Sequence, residues 1–253
     1  MNASESMGPE LANRLQSNLA DVRRRIEAAC ARCGRPLGSV TLVAVTKYAD
    51  LAWVRGLLAL GETQLGENRP QQLEDRAAAL GADSQHSDEP AWHLIGHLQR
   101  NKIRKMLPIV RLIHSLDTVK VVEAVDRIAG EMALRPRVLL EVNVSGEASK
   151  DGFTPESLTA DWSRLCELRH VEIAGLMTMA PYAESSEAAR PVFRRLRELR
   201  DVLAAAPASR ERGLTLAELS MGMTGDFEVA IEEGATLVRI GSALWDGLEG
   251  DGG

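Results

Sequence analysis

Along the first thirty positions apolar residues recur every three or four places. Leu11, Leu15, Leu19, Val22, Ile26 and Cys30 line up as one stripe, the signature of an amphipathic helix. Gly34 and Pro36 stop it. Beyond that point the pattern changes to short, strand-like apolar runs. These are TLVAVTK (41–47), QLGEN (64–68), AWHLIG (91–96), RLIHSLD (111–117), RVLLEVNV (137–144), EIAGLMTM (172–179), AELSMG (217–222) and TLVRIG (236–241). Helix-like stretches separate them, such as 119–133 and 189–206, the latter with Val192, Leu196, Leu199 and Leu203 on one face. Strands alternating with helices imply a parallel sheet with right-handed crossovers. Eight such repeats predict an α/β fold, a closed (β/α)8 barrel with an extra N-terminal helix, rather than an open doubly wound sheet. No G-x-G-x-x-G follows a strand, which removes the main support for a dinucleotide fold. No Pro/Gly-rich linker splits the chain. The expected organisation is one barrel over 10–247, with flexible tails at 1–9 and 248–253 and a polar loop at 81–90.

Composition narrows the function classes. A chain of 253 residues buries about 70–75% of its surface on folding. Its 45% hydrophobic and 26% charged residues are ordinary for a globular protein. A net charge of −6 provides no basic face for phosphate backbones, so no nucleic-acid partner is expected. The opening MNASESMGPE lacks the basic and apolar segments of a secretory signal. No apolar run approaches the roughly 18 residues of a membrane span. Three cysteines form no disulfide framework, and a cytoplasmic protein is expected. Cys30 and Cys33 have C-x-x-C spacing, but they close a helical pattern and no second ligand pair exists. No metal is expected.

In this barrel, reactive groups sit where strands end and in the loops that follow. Lys47 ends the first run, Asn68 the second and Met177 lies near the end of the sixth. His93, with Gly96 and His97, belongs to the third. Ser220, Met223 and Thr224 follow the seventh, and Arg239, Gly241 and Ser242 the eighth. The loops after strands seven and eight are the recurrent phosphate cradle of the fold. Taken singly, GMTGD and GSALWDG also read as turns with helix caps. An amine withdrawn from water gives up its proton more readily, and a neutral amine forms a Schiff base with an aldehyde. Pyridoxal phosphate carries both an aldehyde and a phosphate. A sugar-phosphate aldolase fits the same residues, and so does a strand-end lysine reaching for water.

Longer strings carry a resemblance. AVTK (44–47), GEN (66–68), WHLIGHLQRNK (92–102), VNVSGEASKDGF (142–153), GLMTM (175–179) and LSMGMTGDFEVAIEEGATLVRIGSALW (219–245) resemble the pyridoxal-phosphate homeostasis protein family. The likeness runs in order over about residues 10–247. It implies a monomeric, alanine-racemase-like barrel that holds pyridoxal 5'-phosphate as an imine on Lys47. Ser220, Thr224, Gly241 and Ser242 are then the phosphate contacts, and Arg239 lies beside the pyridine nitrogen. Asn68, His93, Met177 and Met223 complete the expected cofactor-binding set. Arginine is donor-only and never neutral, so it cannot protonate that nitrogen, and the ring stays a weak electron sink. The implied role is intracellular handling of the cofactor, with apo-enzymes as recipients; the alternative is a pyridoxal-dependent amino-acid racemase. Racemases of this fold also need a second domain and a partner's tyrosine, whereas this chain ends after its eighth strand with only Tyr48 and Tyr182. Two departures stand out. Arg69-Pro70 follows GEN where relatives have an aromatic and an aliphatic residue, and Ser242 replaces a common threonine.

Overall fold

Residues 7–81, 89–147, 151–181, 183 and 185–248 are described by the structure, a computed structural model. Lys150, Tyr182, tail residues 1–6 and 249–253, and positions 82–88 of the expected polar loop lie outside them. The apolar stripe near the N-terminus forms α1 (Pro9–Arg32), burying Leu15, Leu19, Val22, Ile26, Ala29 and Cys30. Gly34, at φ +69°, turns the chain so that the Arg35 amide reaches the Cys30 carbonyl at 2.9 Å. A left-handed residue of this kind ends a helix at little steric cost when it is glycine.

Eight parallel strands follow: β1 (Thr41–Val45), β2 (Gln64–Glu67), β3 (Ala91–Leu94), β4 (Val110–Leu116), β5 (Arg137–Glu141), β6 (Glu172–Met177), β7 (Glu218–Ser220) and β8 (Leu237–Ile240). Each pairs with the next and β8 returns to β1, closing the expected barrel. The crossovers carry α2 (Leu51–Ala59), α3 (Pro70–Gly81), α4 (Ile103–Met106), α5 (Val119–Glu131), α6 (Pro155–Cys166), α7 (Arg190–Ala205), α8 (Pro207–Arg212) and α9 (Phe227–Glu232); α10 (Ser242–Trp245) follows β8. Strands stop short of the expected ends: β1 at Val45 rather than 47, and β5 at Glu141 rather than 144. The last residues leave the ladder to build loops, as where the Ala49 amide turns back onto the Thr46 carbonyl at 2.9 Å. The helix expected to reach 206 breaks at Ala205, because Pro207 forces Ala206 to an extended ψ of 146°. Residues 207–212 then form α8, an element the apolar pattern did not announce.

The core has two layers. Val43, Leu112, Leu139, Ala174, Met177 and Leu237 pack inside the barrel, while a larger apolar layer fills the space between strands and helices. Leu248, the first residue of the expected C-terminal tail, belongs to that outer layer and is 2% exposed. Helix α1 lies against α2, α9 and α10. There the Asn18 amide donates to the carbonyls of Leu244 (3.1 Å) and Asp246 (2.8 Å), capping the end of α10. The extra helix therefore fixes the segment that carries Ser242.

Candidate functional site at the C-terminal mouth of the barrel

Along β1, Val43 faces the barrel interior, and Lys47 lies in the turn just past the strand's end at Val45. Thr46, with the opposite parity, turns outward, and its hydroxyl donates to Glu67 Oε1 at 2.5 Å. Helix α3 grips the turn that holds Lys47. Gln72 donates to the Lys47 carbonyl (3.1 Å) and Arg76 to the Ala49 carbonyl (2.6 Å), while Arg76 Nε lies 2.9 Å from Glu67. Burial pushes the Glu67 carboxyl up, opposed by the Thr46 hydroxyl and Arg76. Lys47 itself is half-buried, its Nζ 5.0 Å from the ring centroid of the exposed Tyr48. Arg69-Pro70, the departure noted in the sequence, has a local reason: Pro70 opens α3 at a position where no N–H is needed. Asn68 is half-buried beside the next loop, where a Cβ at Gly96 would come within 2.1 Å of the Asn68 carbonyl. Only glycine permits that approach.

The loops after β7 and β8 meet at the same end. Gly222 has φ +92°, and a Cβ there would lie 2.6 Å from that of Ala230, so the tight turn onto α9 requires glycine. The turn is held by the Met223 amide donating to Asp226 (2.7 Å) and the Arg239 amide donating to the Gly222 carbonyl (3.0 Å). Thr224 and Ser242 present hydroxyls at the rim, half-buried and exposed respectively. Gly241 packs on β1, since a Cβ on it would be 3.4 Å from Val45 Cβ. Trp245 secures this junction by donating from its indole to the Val45 carbonyl (2.8 Å) and stacking on Trp53. Lys47, Thr224, Gly241 and Ser242 thus share one end of the barrel. Met223 lies on the same rim, 40% exposed, whereas Met177 is buried in the inner apolar cluster.

Arg239 reaches inward from β8 and is 4% exposed. Nη1 donates to Ser220 Oγ (2.6 Å) and Nη2 to the Thr178 carbonyl (3.1 Å). Ser220, expected among the phosphate donors, instead turns its hydroxyl into the interior, where it also meets His114 Nδ1 at 2.8 Å. His93 points along the barrel axis, away from the loops. Its Nδ1 pairs with His114 Nε2 (2.8 Å) and its Nε2 with Gln64 Oε1 (2.9 Å) at the start of β2. Burial pushes Arg239 down to about 10, against the pull of Glu141 and Asp226, and it stays charged at neutral pH. Desolvation lowers His93 to about 4, helped by Arg111 and Arg137, and holds His114 well below its ordinary value.

One group at the mouth escaped the sequence reading altogether. Glu141 ends β5, across the barrel from β1, and is 8% exposed. Burial raises its carboxyl to about 7, with Arg239 pulling it down and Asp117 and Asp151 pushing it up. A lone carboxylate closing an apolar strand, VLLE, was the available signal. His114 was hidden likewise in RLIHSL, inside a strand rather than at its end. The side chain of Asn143 orders its own loop instead of joining His93, accepting from the Ser145 hydroxyl and the Gly146 amide, both at 3.0 Å.

Among the described residues the buried, charged guanidinium bonds only Ser220 and the Thr178 carbonyl, which leaves donors for an acceptor, and the same end of the barrel carries an amine and two hydroxyls. Such a donor set suits an anionic ligand bearing an electrophile. Fold and site therefore define a closed, single-barrel protein with an anion-seeking donor set at its C-terminal mouth. The family described as "Alanine racemase, N-terminal domain" matches residues 14–248. Within it, the chain belongs to the pyridoxal phosphate homeostasis protein family. It is 42% identical over 227 residues to the homeostasis protein of Aquifex aeolicus, covering 90% of this chain and 95% of that one. For the Deinococcus radiodurans protein the identity is 43% over 224 residues, covering 87% and 95%. Among solved structures, PipY of Synechococcus elongatus, with pyridoxal phosphate bound, superposes with a TM-score of 0.76 at 33% identity, covering 92% of this chain and 99% of PipY. An alanine racemase of Clostridium difficile shares the fold alone, with a TM-score of 0.66 at 13% identity over 94% of this chain and 58% of that one.

Proposed function

We propose that this chain binds pyridoxal 5'-phosphate at the C-terminal mouth and serves its intracellular homeostasis, with Lys47 forming a Schiff base to the aldehyde. The single observation that carries the reading is the convergence of Lys47, the under-bonded Arg239 guanidinium and the Thr224/Ser242 rim, in a family whose PipY member binds that cofactor. When bound, the cofactor supplies an electrophilic aldehyde and an electron-withdrawing ring. Lys47 Nζ is the amine that condenses with it, releasing water. Thr224, Ser242 and the amides of their loops hold the phosphate, with Gly241 keeping the backbone close. Asn68 and Met223 border the ring. Arg239 donates to the ring nitrogen without protonating it, which keeps carbanion chemistry weak and favours storage over turnover. A monomeric working unit is part of this reading, and no described helix is long and apolar enough to cross a membrane. Apo-enzymes that need the cofactor are the recipients this role implies.

Glu141 favours a second reading, a pyridoxal-dependent racemase, because it is a carboxyl near 7 on the strand opposite Lys47. Two measurements decide. Loaded protein should show a visible absorbance band that borohydride abolishes, and Lys47→Ala should lack it; a chain that stays colourless with added cofactor overturns both readings. Cα exchange of L-alanine in deuterated water should be negligible. Turnover at about 1 per second or faster would replace the homeostasis role with the racemase.

A further inference from the structure

We infer that His114 is a positioning residue for Arg239, acting through a one-way chain of hydrogen-bond donors that runs from the guanidinium down the barrel axis to Gln64. The direction follows step by step. Arginine has only donors, so Nη1 must donate to Ser220 Oγ, at 2.6 Å. Ser220 Oγ keeps one hydrogen and one lone pair, and the far end decides between them: Gln64 Oε1 can only accept, so the Ser220 hydrogen goes to Nδ1 of His114, at 2.8 Å. A neutral imidazole that accepts on one nitrogen carries its hydrogen on the other, so His114 Nε2–H donates to Nδ1 of His93, at 2.8 Å. The same logic puts the hydrogen of His93 on Nε2, facing Gln64 Oε1 at 2.9 Å. The amide nitrogen of Gln64 is turned to Thr63 Oγ1, which leaves the oxygen as acceptor. Reversing the chain would set a bare His93 nitrogen against that oxygen.

His114 and Ser220 are both fully buried, out of reach of bulk solvent. Burial keeps both rings neutral, the state the chain needs. An unsatisfied hydroxyl in that setting costs free energy, and without His114 the Ser220 hydrogen has no acceptor. Ser220 would then rotate, and Arg239 would lose one of its two anchors and with it the fixed presentation of its remaining N–H groups. The inference rests on the proposed cofactor site only for what those N–H groups meet; the direction of the chain stands without it.

Two arms test it separately. In the cofactor-free protein at neutral pH, nitrogen-15 spectra of the imidazoles should show His93 and His114 neutral with the hydrogen on Nε2. Ser220→Ala should perturb His114 first and His93 second. A hydrogen on Nδ1 of either ring, or a charged ring, overturns the one-way chain whether or not the protein binds any ligand. In the second arm, folded His114→Leu should lose pyridoxal phosphate affinity about tenfold or more and shift the visible band. His114→Gln, which can accept and donate along the same line, should recover most of both. Wild-type affinity and an unshifted band in a folded His114→Leu protein would reduce His114 to core filler and overturn the proposal. Nε2–H rings in a chain that takes up no pyridoxal phosphate would uphold the donor chain while removing the cofactor reading alone.

Discussion

The two ends of the barrel interior treat buried polarity in opposite ways. Down the axis from Ser220 to the N-terminal rim the buried polar groups bond one another. Gln64, His93, His114 and Ser220 bond one another in sequence, and Arg137 pairs with Glu172 and Glu218. Toward the C-terminal mouth the matching stops. Among the described residues Arg239 bonds only Ser220 and the Thr178 carbonyl, Glu141 is buried at a cost to its ionisation, and Lys47 lies beside the Tyr48 ring within electrostatic reach of Glu67. Buried polar groups are normally satisfied. A satisfied set is scaffold, and an unsatisfied cluster at the functional end of a barrel is a site kept for a ligand.

One way to break this contrast is acid. His93 titrates at about 4 in the fold against an ordinary 6.5, so the fold prefers the neutral ring. That preference is fully present above pH 6.5 and is lost as the pH falls toward 4. At about 1.4 kcal/mol per pH unit, roughly 2 kcal/mol should be gone by pH 5. Urea unfolding at pH 7 and pH 5 should show the loss in the wild type and a smaller one in His93→Gln. Equal losses in the two proteins would mean that the axis is not held neutral.

Glu141 offers the mirror test at the mouth. Its carboxyl is raised to about 7 from 4.5, so the neutral form is favoured in the fold. The contribution is complete below pH 4.5 and lost as the pH rises through 7. Ionising this group at pH 8 costs up to roughly 3 kcal/mol by the same conversion. Glu141→Gln should therefore gain stability over the wild type on going from pH 5 to pH 8, by about 2 kcal/mol. An unchanged difference at the two pH values would make Glu141 an ordinary ionised carboxylate.

A third effect, confined to the rim, is expected from Ser242. Removing one hydroxyl from a charge-assisted hydrogen bond costs about 1.5–3 kcal/mol. Ser242→Ala should weaken pyridoxal phosphate binding roughly ten- to a hundredfold, and unphosphorylated pyridoxal much less. Equal losses for both ligands in equilibrium titrations would place the phosphate elsewhere.

The order of elements was legible along the chain because periodicity is a local property. A period of two and a period near 3.6 mark which face each segment must bury, so the strand–helix alternation and the barrel followed from the apolar pattern alone. That Lys47, Thr224 and Ser242 stand at the C-terminal ends of strands was legible too, because the strand order fixes which end of the barrel each loop reaches. Ser220 was read as a rim donor since its position in the string says nothing of which partner its hydroxyl meets. His93 was read toward the ligand for the same reason. Closing the barrel brought β3, β4, β7 and β8 onto one axis and made Ser220 and His93 neighbours of a histidine from a fourth strand. Glu141 looked like one more charge after an apolar run until the closed barrel buried it opposite Lys47. Local sequence fixes which side of a strand faces inward, but hydrogen-bond partners and desolvation depend on groups scores of residues away, and only the packed fold brings those together.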